Sequence, residues 1–199
     1  MKKQDLEKKK LHTETILNHI NYVKDLCFQM GIPELGKCHD LSKFYDDEFE
    51  IYKYADGKKS PHDNARDILG YSPSWIHHKA RNQHHWEYWT DFNSATPNDD
   101  GTFTIICKCV KMPYDRVIEM FCDFVGAGKA YSKDVWTVKT PLNYWKKNCE
   151  GQRAMHKDSE ALLILLLETL ADSISLDDFV ARYNTEKNKL EADYNDINK

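Results

Sequence analysis

The chain has 199 residues, of which 41% are hydrophobic and 30% charged, and its formal net charge at pH 7 is −4. A chain of this length can bury one hydrophobic core, and its composition excludes a disordered chain, a fibrous protein and a membrane span. The 28 basic and 32 acidic residues are nearly balanced, which predicts no extended nucleic-acid-binding surface. The unusual feature is nine histidines, six of which lie between His39 and His85.

The cysteines and the first residues indicate the compartment. The six cysteines form no pair of CxxC motifs, and the segment MKKQDLEKKK contains no apolar stretch typical of a signal peptide. We therefore expect a cytoplasmic protein in a reducing environment. The abundance of aromatic residues and the charged C-terminal segment allow a homodimer.

The first half of the chain predicts helices separated by one loop. Apolar residues three and four positions apart indicate an amphipathic helix over residues 6–30, and a Gly-Ile-Pro sequence ends it. Two short helices are predicted over residues 34–44 and 45–55. Scattered glycine and proline make residues 56–71 a loop, and the Ser-Pro pair that follows predicts a helix over residues 72–92.

The second half predicts a small hairpin and more helices. The polar segment 93–101 is typical of a loop, and residues 102–110, which include the CxC sequence, fit a hairpin strand. Further helices are predicted from Pro113 to near Gly126 or Gly128, and over residues 140–149, 159–171 and 175–195. The fold class is therefore all-α: a single-domain helical bundle over residues 1–199, with its core in residues 6–172, a charged last helix and at most a small β-hairpin insertion.

The adjacent pair His39-Asp40 is the sharpest local motif. Neighbouring imidazole and carboxylate groups can hold a divalent cation together, and the carboxylate can also bridge two cations. His19 falls on the apolar stripe of the first predicted helix, so its side chain is expected to point inward. Each of these residues taken alone also fits a hydrogen-bonded core residue.

The segment WIHHKARNQHHWEYW places four histidines on one predicted helix. At 100° per residue, one narrow face carries Trp75, His78, Asn82, His85 and Trp89. The adjacent face carries His77, Arg81, His84 and Tyr88. This pattern favours His78 and His85 as metal ligands, with His77 and His84 as supporting candidates, over an interfacial aromatic helix.

Two carboxylates follow in the sequence EMFCDF. Glu119 and Asp123 are four residues apart, and Asp123 lies among apolar neighbours where an unpaired carboxylate is costly. Its partner could be a metal ion or a basic side chain. Glu119 or Glu48 could relay a proton.

Taken in order, these residues resemble a known superfamily. The succession His…His-Asp…Asp resembles the HD-domain superfamily of metal-dependent phosphohydrolases, and HDLSK is similar to the HDIGK sequence of its cyclic-dinucleotide phosphodiesterases. That resemblance implies that Lys43 contacts a substrate phosphate and that His77-His78 or His84-His85 completes a second metal position. The chain lacks the glycine and the GYP motif of that branch.

A closer resemblance covers nearly the whole chain. The runs HDLSKF, HHKARNQHH with EYW, EMFCDF and YWKKN, over residues 11–170, resemble an uncharacterised bacterial and phage family of HD-like proteins.

The leading hypothesis is metal-dependent hydrolysis of a small phosphate ester, such as a nucleotide. One or two divalent ions (Mn, Mg, Fe, Zn or Co) would be bound by His19, His39, Asp40, His78, His85 and Asp123. Asp40, Lys43 and Glu119 are the candidate catalytic residues, and Lys43 with Arg81 would bind phosphate. The ligand order also fits a di-iron oxygenase of the HD type, and a third reading is a non-catalytic module that sequesters a nucleotide.

Overall fold

Helices dominate the structure. A computed structural model describes residues 3–56 and 59–196, and within them the chain forms nine α-helices and one two-stranded antiparallel sheet. The prediction of a mostly helical fold with a small hairpin is therefore confirmed. None of the described helices combines the length and the apolarity needed to cross a membrane.

The chain groups into two compact units. The first holds the residues up to Asn82 together with Cys122–Trp136, and the second holds Gln83–Phe121 and the residues from Thr137 onward. The helices of the first unit are α1 (Lys3–Gln29), α2 (Pro33–Cys38), α3 (Asp46–Phe49), α4 (Pro61–Leu69) and α5 (Pro73–Arg81). The helix α6 (Tyr114–Ser132) belongs to this unit from Cys122 onward, and 3-10 turns cover Leu41–Phe44, Glu50–Tyr54 and Lys133–Val135.

Helix α1 buries the predicted apolar stripe. Its buried residues are Ile16, His19, Ile20, Val23, Leu26 and Cys27. A Cβ atom added at Gly126 of α6 would come within 2.5 Å of Val23 Cγ2, so the glycine permits α6 to approach α1 closely. The prediction that this helix ends near Gly126 or Gly128 was wrong, because the glycine serves packing and α6 continues to Ser132.

The predicted helix over residues 34–44 is broken at the His39-Asp40 pair. Helix α2 ends at Cys38, and Asp40 adopts the left-handed conformation with φ 57°, the one non-glycine residue with positive φ in the described part of the chain. An L-residue pays a steric cost there, although aspartate tolerates it better than most, and such strained positions often occur at functional sites. The third predicted helix is also shorter, since α3 covers four residues before a 3-10 turn.

Residues 56–71 are not a plain loop, because they contain α4. The Ser60 hydroxyl accepts a hydrogen bond from the His62 backbone N–H, Pro61 occupies the first turn, and Gly70 ends the helix with φ 80°. This is a complete set of helix start and stop signals, so the earlier interpretation of proline and glycine as loop markers was wrong.

The predicted helix over residues 72–92 ends at Arg81. Asn82 has extended backbone angles, and its side-chain amide donates a hydrogen bond of 2.8 Å to the His78 carbonyl oxygen. An asparagine side chain competes in this way with the helical backbone. His84 and His85 therefore do not share a helix with His77 and His78, and the two predicted histidine faces were wrong.

The second unit contains the hairpin and the more apolar helices. Strand β1 (Thr90–Pro97) pairs in antiparallel register with β2 (Phe103–Cys109), with an irregularity between Phe92 and Ser94. The remaining helices are α7 (Thr140–Asn148), α8 (Lys157–Ala171) and α9 (Leu176–Asp196). Helix α8 is largely buried, and the Ser175 hydroxyl accepts the Asp178 backbone N–H at the start of α9.

Candidate metal centre

Four of the predicted ligands converge inside the first unit. His19 Nε2 lies 3.0 Å from Asp40 Oδ2 and 3.1 Å from Asp123 Oδ1. His39 Nε2 lies 3.3 Å from His19 Nε2, 3.4 Å from Asp40 Oδ2 and 3.6 Å from Asp123 Oδ1. We call these four residues the HD cluster.

Three local features of the sequence bring the cluster together. His19 is on the buried stripe of α1, which the apolar periodicity of that helix directs inward. His39 and Asp40 lie at the break between α2 and the following 3-10 turn, where the left-handed residue redirects the chain. Asp123 comes from the part of α6 that packs on α1 through Gly126.

The spacing of the donor atoms fits a metal ion. Metal–ligand bonds of about 2.1 Å place neighbouring donors about 3.0 Å apart in an octahedral site and about 3.4 Å apart in a tetrahedral one. The distances in the HD cluster run from 3.0 to 3.6 Å. Two imidazole nitrogens with two carboxylate oxygens form a donor set that suits divalent transition metals, and a cation would neutralise the two carboxylates.

The HD cluster is buried on one side and accessible on another. The side chains of His39 and Asp40 are 0% and 1% exposed, whereas that of Asp123 is 19% exposed. Lys43, whose Nζ lies 2.6 Å from Asp40 Oδ2, retains 25% exposure. Asp123 and Lys43 are therefore the side chains through which the HD cluster keeps contact with solvent.

The charges around Asp40 keep it ionised. Burial by itself would raise the pKa of Asp40, but the charges of His39, Lys43 and His78 and a hydrogen bond from His19 hold that pKa well below its usual value. Burial likewise opposes the charge of Lys43, yet Asp40 and Asp123 raise the lysine pKa above its usual value. At neutral pH, Asp40 is therefore a buried anion and Lys43 is a cation beside it.

Most of the chain matches one protein family. The model of a family of unknown function, DUF5662, matches residues 8–169. The chain belongs to the DUF5662 family. No match was found among curated proteins or among solved structures. The part of the chain that matches DUF5662 contains the whole HD cluster.

A third histidine, which also lies within the DUF5662 match, approaches the other oxygen of Asp40. His78 Nε2 lies 3.3 Å from Asp40 Oδ1, and its Nδ1 lies 2.7 Å from Glu48 Oε2. When a carboxylate accepts the Nδ1–H of a histidine, the other ring nitrogen presents its lone pair, as is usual for histidines that bind metals. Asp40 therefore lies between His78 on one oxygen and the HD cluster on the other.

Glu48 is itself held by several donors. Ser42 Oγ donates to Glu48 Oε2 over 2.9 Å, and Arg81 Nη1 donates to Oε1 over 2.8 Å. Burial by itself would raise the pKa of Glu48. The hydrogen bonds from His78 and Arg81 oppose burial and hold that pKa below its usual value. The role of Glu48 as the partner of His78 was missed, because no sequence spacing relates two residues thirty positions apart.

Arg81, a predicted phosphate ligand, is engaged elsewhere. Its guanidinium contacts both carboxylate oxygens of Asp47, at 2.8 and 2.5 Å, as well as Glu48. His77, a supporting metal candidate, has a half-exposed side chain whose Nδ1 lies 3.5 Å from Asp47. Both residues are part of a surface ion-pair network around α3.

The other predicted residues lie in the second unit. His84 Nδ1 lies 3.2 Å from Glu119 Oε1, and Arg116 donates to Glu119 Oε2 over 2.8 Å. The His85 ring lies 4.2 Å from the His84 ring, between their centroids. Glu119 is thus a buried carboxylate that contacts both His84 and Arg116.

Proposed function

We propose that the chain is a metal-dependent phosphohydrolase of the HD-domain type that acts on a nucleotide or another small phosphate ester. The observation that carries this proposal is the HD cluster, in which two imidazole nitrogens and two carboxylate oxygens converge at metal-ligand spacing beside an accessible lysine. Membership of the DUF5662 family does not indicate an activity, because the function of that family is unknown.

The proposed roles follow from position and charge. His19, His39, Asp40 and Asp123 would hold one divalent ion, which when bound lowers the pKa of a water molecule and polarises a phosphoryl group. Lys43 lies at the accessible edge of the cluster and would neutralise a phosphate oxygen. Its present bond to Asp40 keeps its ammonium group at the point where the substrate would enter.

His78 is the candidate for a second metal position. Its Nε2 faces the Asp40 oxygen that points away from His19, and Glu48 fixes the orientation of its ring. Asp40 could therefore bridge two ions, as carboxylates do in dinuclear hydrolytic sites. With one ion only, His78 would instead orient Asp40 by a hydrogen bond.

A metal analysis combined with a nucleotide panel tests this function. The wild-type protein and the Asp40→Asn and Asp123→Asn variants are purified, and their content of Mn, Mg, Fe, Zn and Co is measured. Phosphate release is then assayed on nucleoside mono-, di- and triphosphates with each metal. The matched control is Asp67→Asn, since Asp67 is an exposed carboxylate paired with Lys59.

We expect the wild type and the control to bind metal and release phosphate, and both ligand variants to lose these properties. Three results would overturn the proposal. The first is a wild-type protein that binds none of these metals. The second is an iron protein that consumes oxygen without releasing phosphate. The third is a metal-bound protein from which every nucleotide is recovered unchanged, which would favour a sequestering module.

A further inference from the structure

The hairpin of the second unit is exposed on both of its faces. All residues from 91 to 108, which include most of β1 and β2, are exposed to solvent. A two-stranded hairpin is only marginally stable in water by itself, and it gains stability when another surface packs against it. A sheet of this size is therefore expected to have a partner.

The two faces of the hairpin differ in chemistry. Successive side chains of a strand point to opposite faces, and residues paired across two strands share a face. One face, which we call the apolar face, consists of the pairs Pro97 with Phe103, Ala95 with Ile105, and Phe92 with Cys107. The opposite face consists of the pairs Thr96 with Thr104, Ser94 with Ile106, and Asp91 with Lys108. Antiparallel sheets with this alternation commonly pack their apolar face against another surface.

The apolar face is large enough to bind another protein surface. Phe92, Phe103 and Ile105 are 62%, 60% and 56% exposed. A phenylalanine side chain can bury about 150–250 Å², so the six residues of the apolar face together present roughly 500 Å² to solvent. Contact between two such faces would remove about 1,000 Å² from solvent, which is the lower size limit of a specific protein interface.

The charges of the hairpin favour a second copy of the chain as the partner. The six residues of the apolar face are uncharged, so two copies can meet there without burying a charge, and a two-fold axis lets one patch serve both chains. The turn at the tip of the hairpin carries the exposed carboxylates Asp99 and Asp100. An anionic membrane surface would repel them. If the two hairpins point in opposite directions, their acidic tips lie at opposite ends of the contact.

We propose that the apolar face is the interface of a homodimer, in which two hairpins pack face to face with their strands antiparallel. The four strands would form two layers about 10 Å apart, with Asp91 and Lys108 in water on the outer surfaces. The hairpin belongs to the second unit alone, so the proposal does not depend on a metal ion at the HD cluster.

Two adjacent isoleucines provide a matched pair of variants. Ile105 and Ile106 are 56% and 55% exposed, but they lie on opposite faces of the hairpin. Ile105→Lys and Ile106→Lys therefore introduce the same charge at equally exposed positions of one strand. Sedimentation velocity of the full chain over a wide range of protein concentration measures dimerisation of the wild type and both variants, and circular dichroism checks their folding.

We expect the wild type to dimerise reversibly and Ile106→Lys to dimerise equally well. Ile105→Lys should weaken the dimer at least about 100-fold, because each copy would bury an unpaired ammonium group. Equal losses in the two variants would overturn the proposal in favour of pairing between strand edges, which uses both faces. A wild type that stays monomeric at every concentration would also overturn it, and binding of that monomer to vesicles of anionic lipid would assign the face to a membrane surface.

The native cysteines test the same interface without any substitution. Cys107 is exposed on the apolar face, and Cys38 is exposed in the first unit. Wild-type protein is alkylated with iodoacetamide at low and high protein concentration, and trypsin cleavage after Lys108 separates Cys107 from Cys109 for mass spectrometry. Alkylation of Cys107 should slow as the protein concentration rises, whereas that of Cys38 should not change. A rate at Cys107 that is independent of protein concentration would contradict the proposal.

Discussion

The two units of this protein bury very different interiors. The first unit encloses His19, His39, Asp40, Glu48 and His78, each at most 5% exposed. In the second unit, α8 contributes an almost continuous apolar surface, whose buried residues include Leu162, Leu163, Leu166, Leu167 and Leu170. Polar groups are buried in the second unit too, as Glu119 and His84 show, but they do not dominate its core.

The buried leucines of the second unit stabilise the fold, whereas the buried charged groups of the first unit are suited to binding an ion. Burying leucine side chains is favourable in itself, at roughly 1.5–3 kcal/mol for each. Burying ionised carboxylates is costly unless each is paired, and a paired group contributes little net stability. The first unit therefore keeps an arrangement that stability alone does not select, and a bound ion would offset its cost.

The largest effect should come from removing the shared carboxylate of the HD cluster. Asp40→Asn removes a negative charge that His19, His78 and Lys43 all contact. We expect the loss of bound metal and a fall in phosphate release by more than the roughly 100-fold typical of changes to groups that only orient a ligand. Elemental analysis and rate measurements check this, and a variant with normal metal content would contradict the assignment.

Shortening a leucine in the core of the second unit should lower stability without affecting metal binding, unlike the change at Asp40. Leu167 is fully buried, so Leu167→Ala should lower the free energy of unfolding by about 2–5 kcal/mol and leave metal content unchanged. Urea unfolding of wild type and variant, each with and without EDTA, tests this. EDTA should destabilise both by the same amount, and a variant insensitive to EDTA would show that the leucine core and the metal centre are not separable.

The sequence predicted the helices whose signals are local and strong. The apolar periodicity of α1, the uniform leucine run of α8 and the Ser175-Asp178 cap of α9 each depend on residues within one or two turns. The predictions were wrong where a residue type that is typical of one structure, such as a loop, can also serve another. Gly126 permits close helix packing, Pro61 and Gly70 bound a helix, and the Asn82 side chain ends one.

The candidate site shows the same division. His19 could be placed inward from its position on the apolar stripe, and the pair His39-Asp40 was visible as a motif. The contact between Glu48 and His78 depends on how α3 packs against α5, and no periodicity within either segment encodes it.

A smaller effect should follow from changing the group that orients His78. Glu48→Gln keeps the shape of the side chain but removes the charge that His78 Nδ1 and Arg81 contact. We expect a 10–100-fold loss of metal affinity or of phosphate release, with little change in thermal stability. The control is Asp47→Asn, because Asp47 contacts Arg81 but not the Nδ1 of His78. Equal losses in the two variants would show that Arg81, and not His78, matters.

The smallest effect concerns the pH dependence of stability. The pKa of His12 is about 4 in the folded protein and about 6.5 in an unfolded chain, so the unfolded state binds more protons between these values. The free energy of unfolding should therefore fall as pH decreases through this range, and His12 should account for about 1–2 kcal/mol of the loss at pH 5. His12→Gln cannot take up this proton, so its stability should decline less between pH 7 and pH 5.

Urea unfolding at both pH values, in EDTA, measures that difference without interference from bound metal. His156→Asn provides the matched loss of a histidine outside the first unit. If His12→Gln and the wild type lose the same free energy, His12 is not held neutral by burial beside Lys43. The two interiors would then differ less than their geometry indicates, because the surroundings of the HD cluster would be open enough for a protonated imidazole to be solvated.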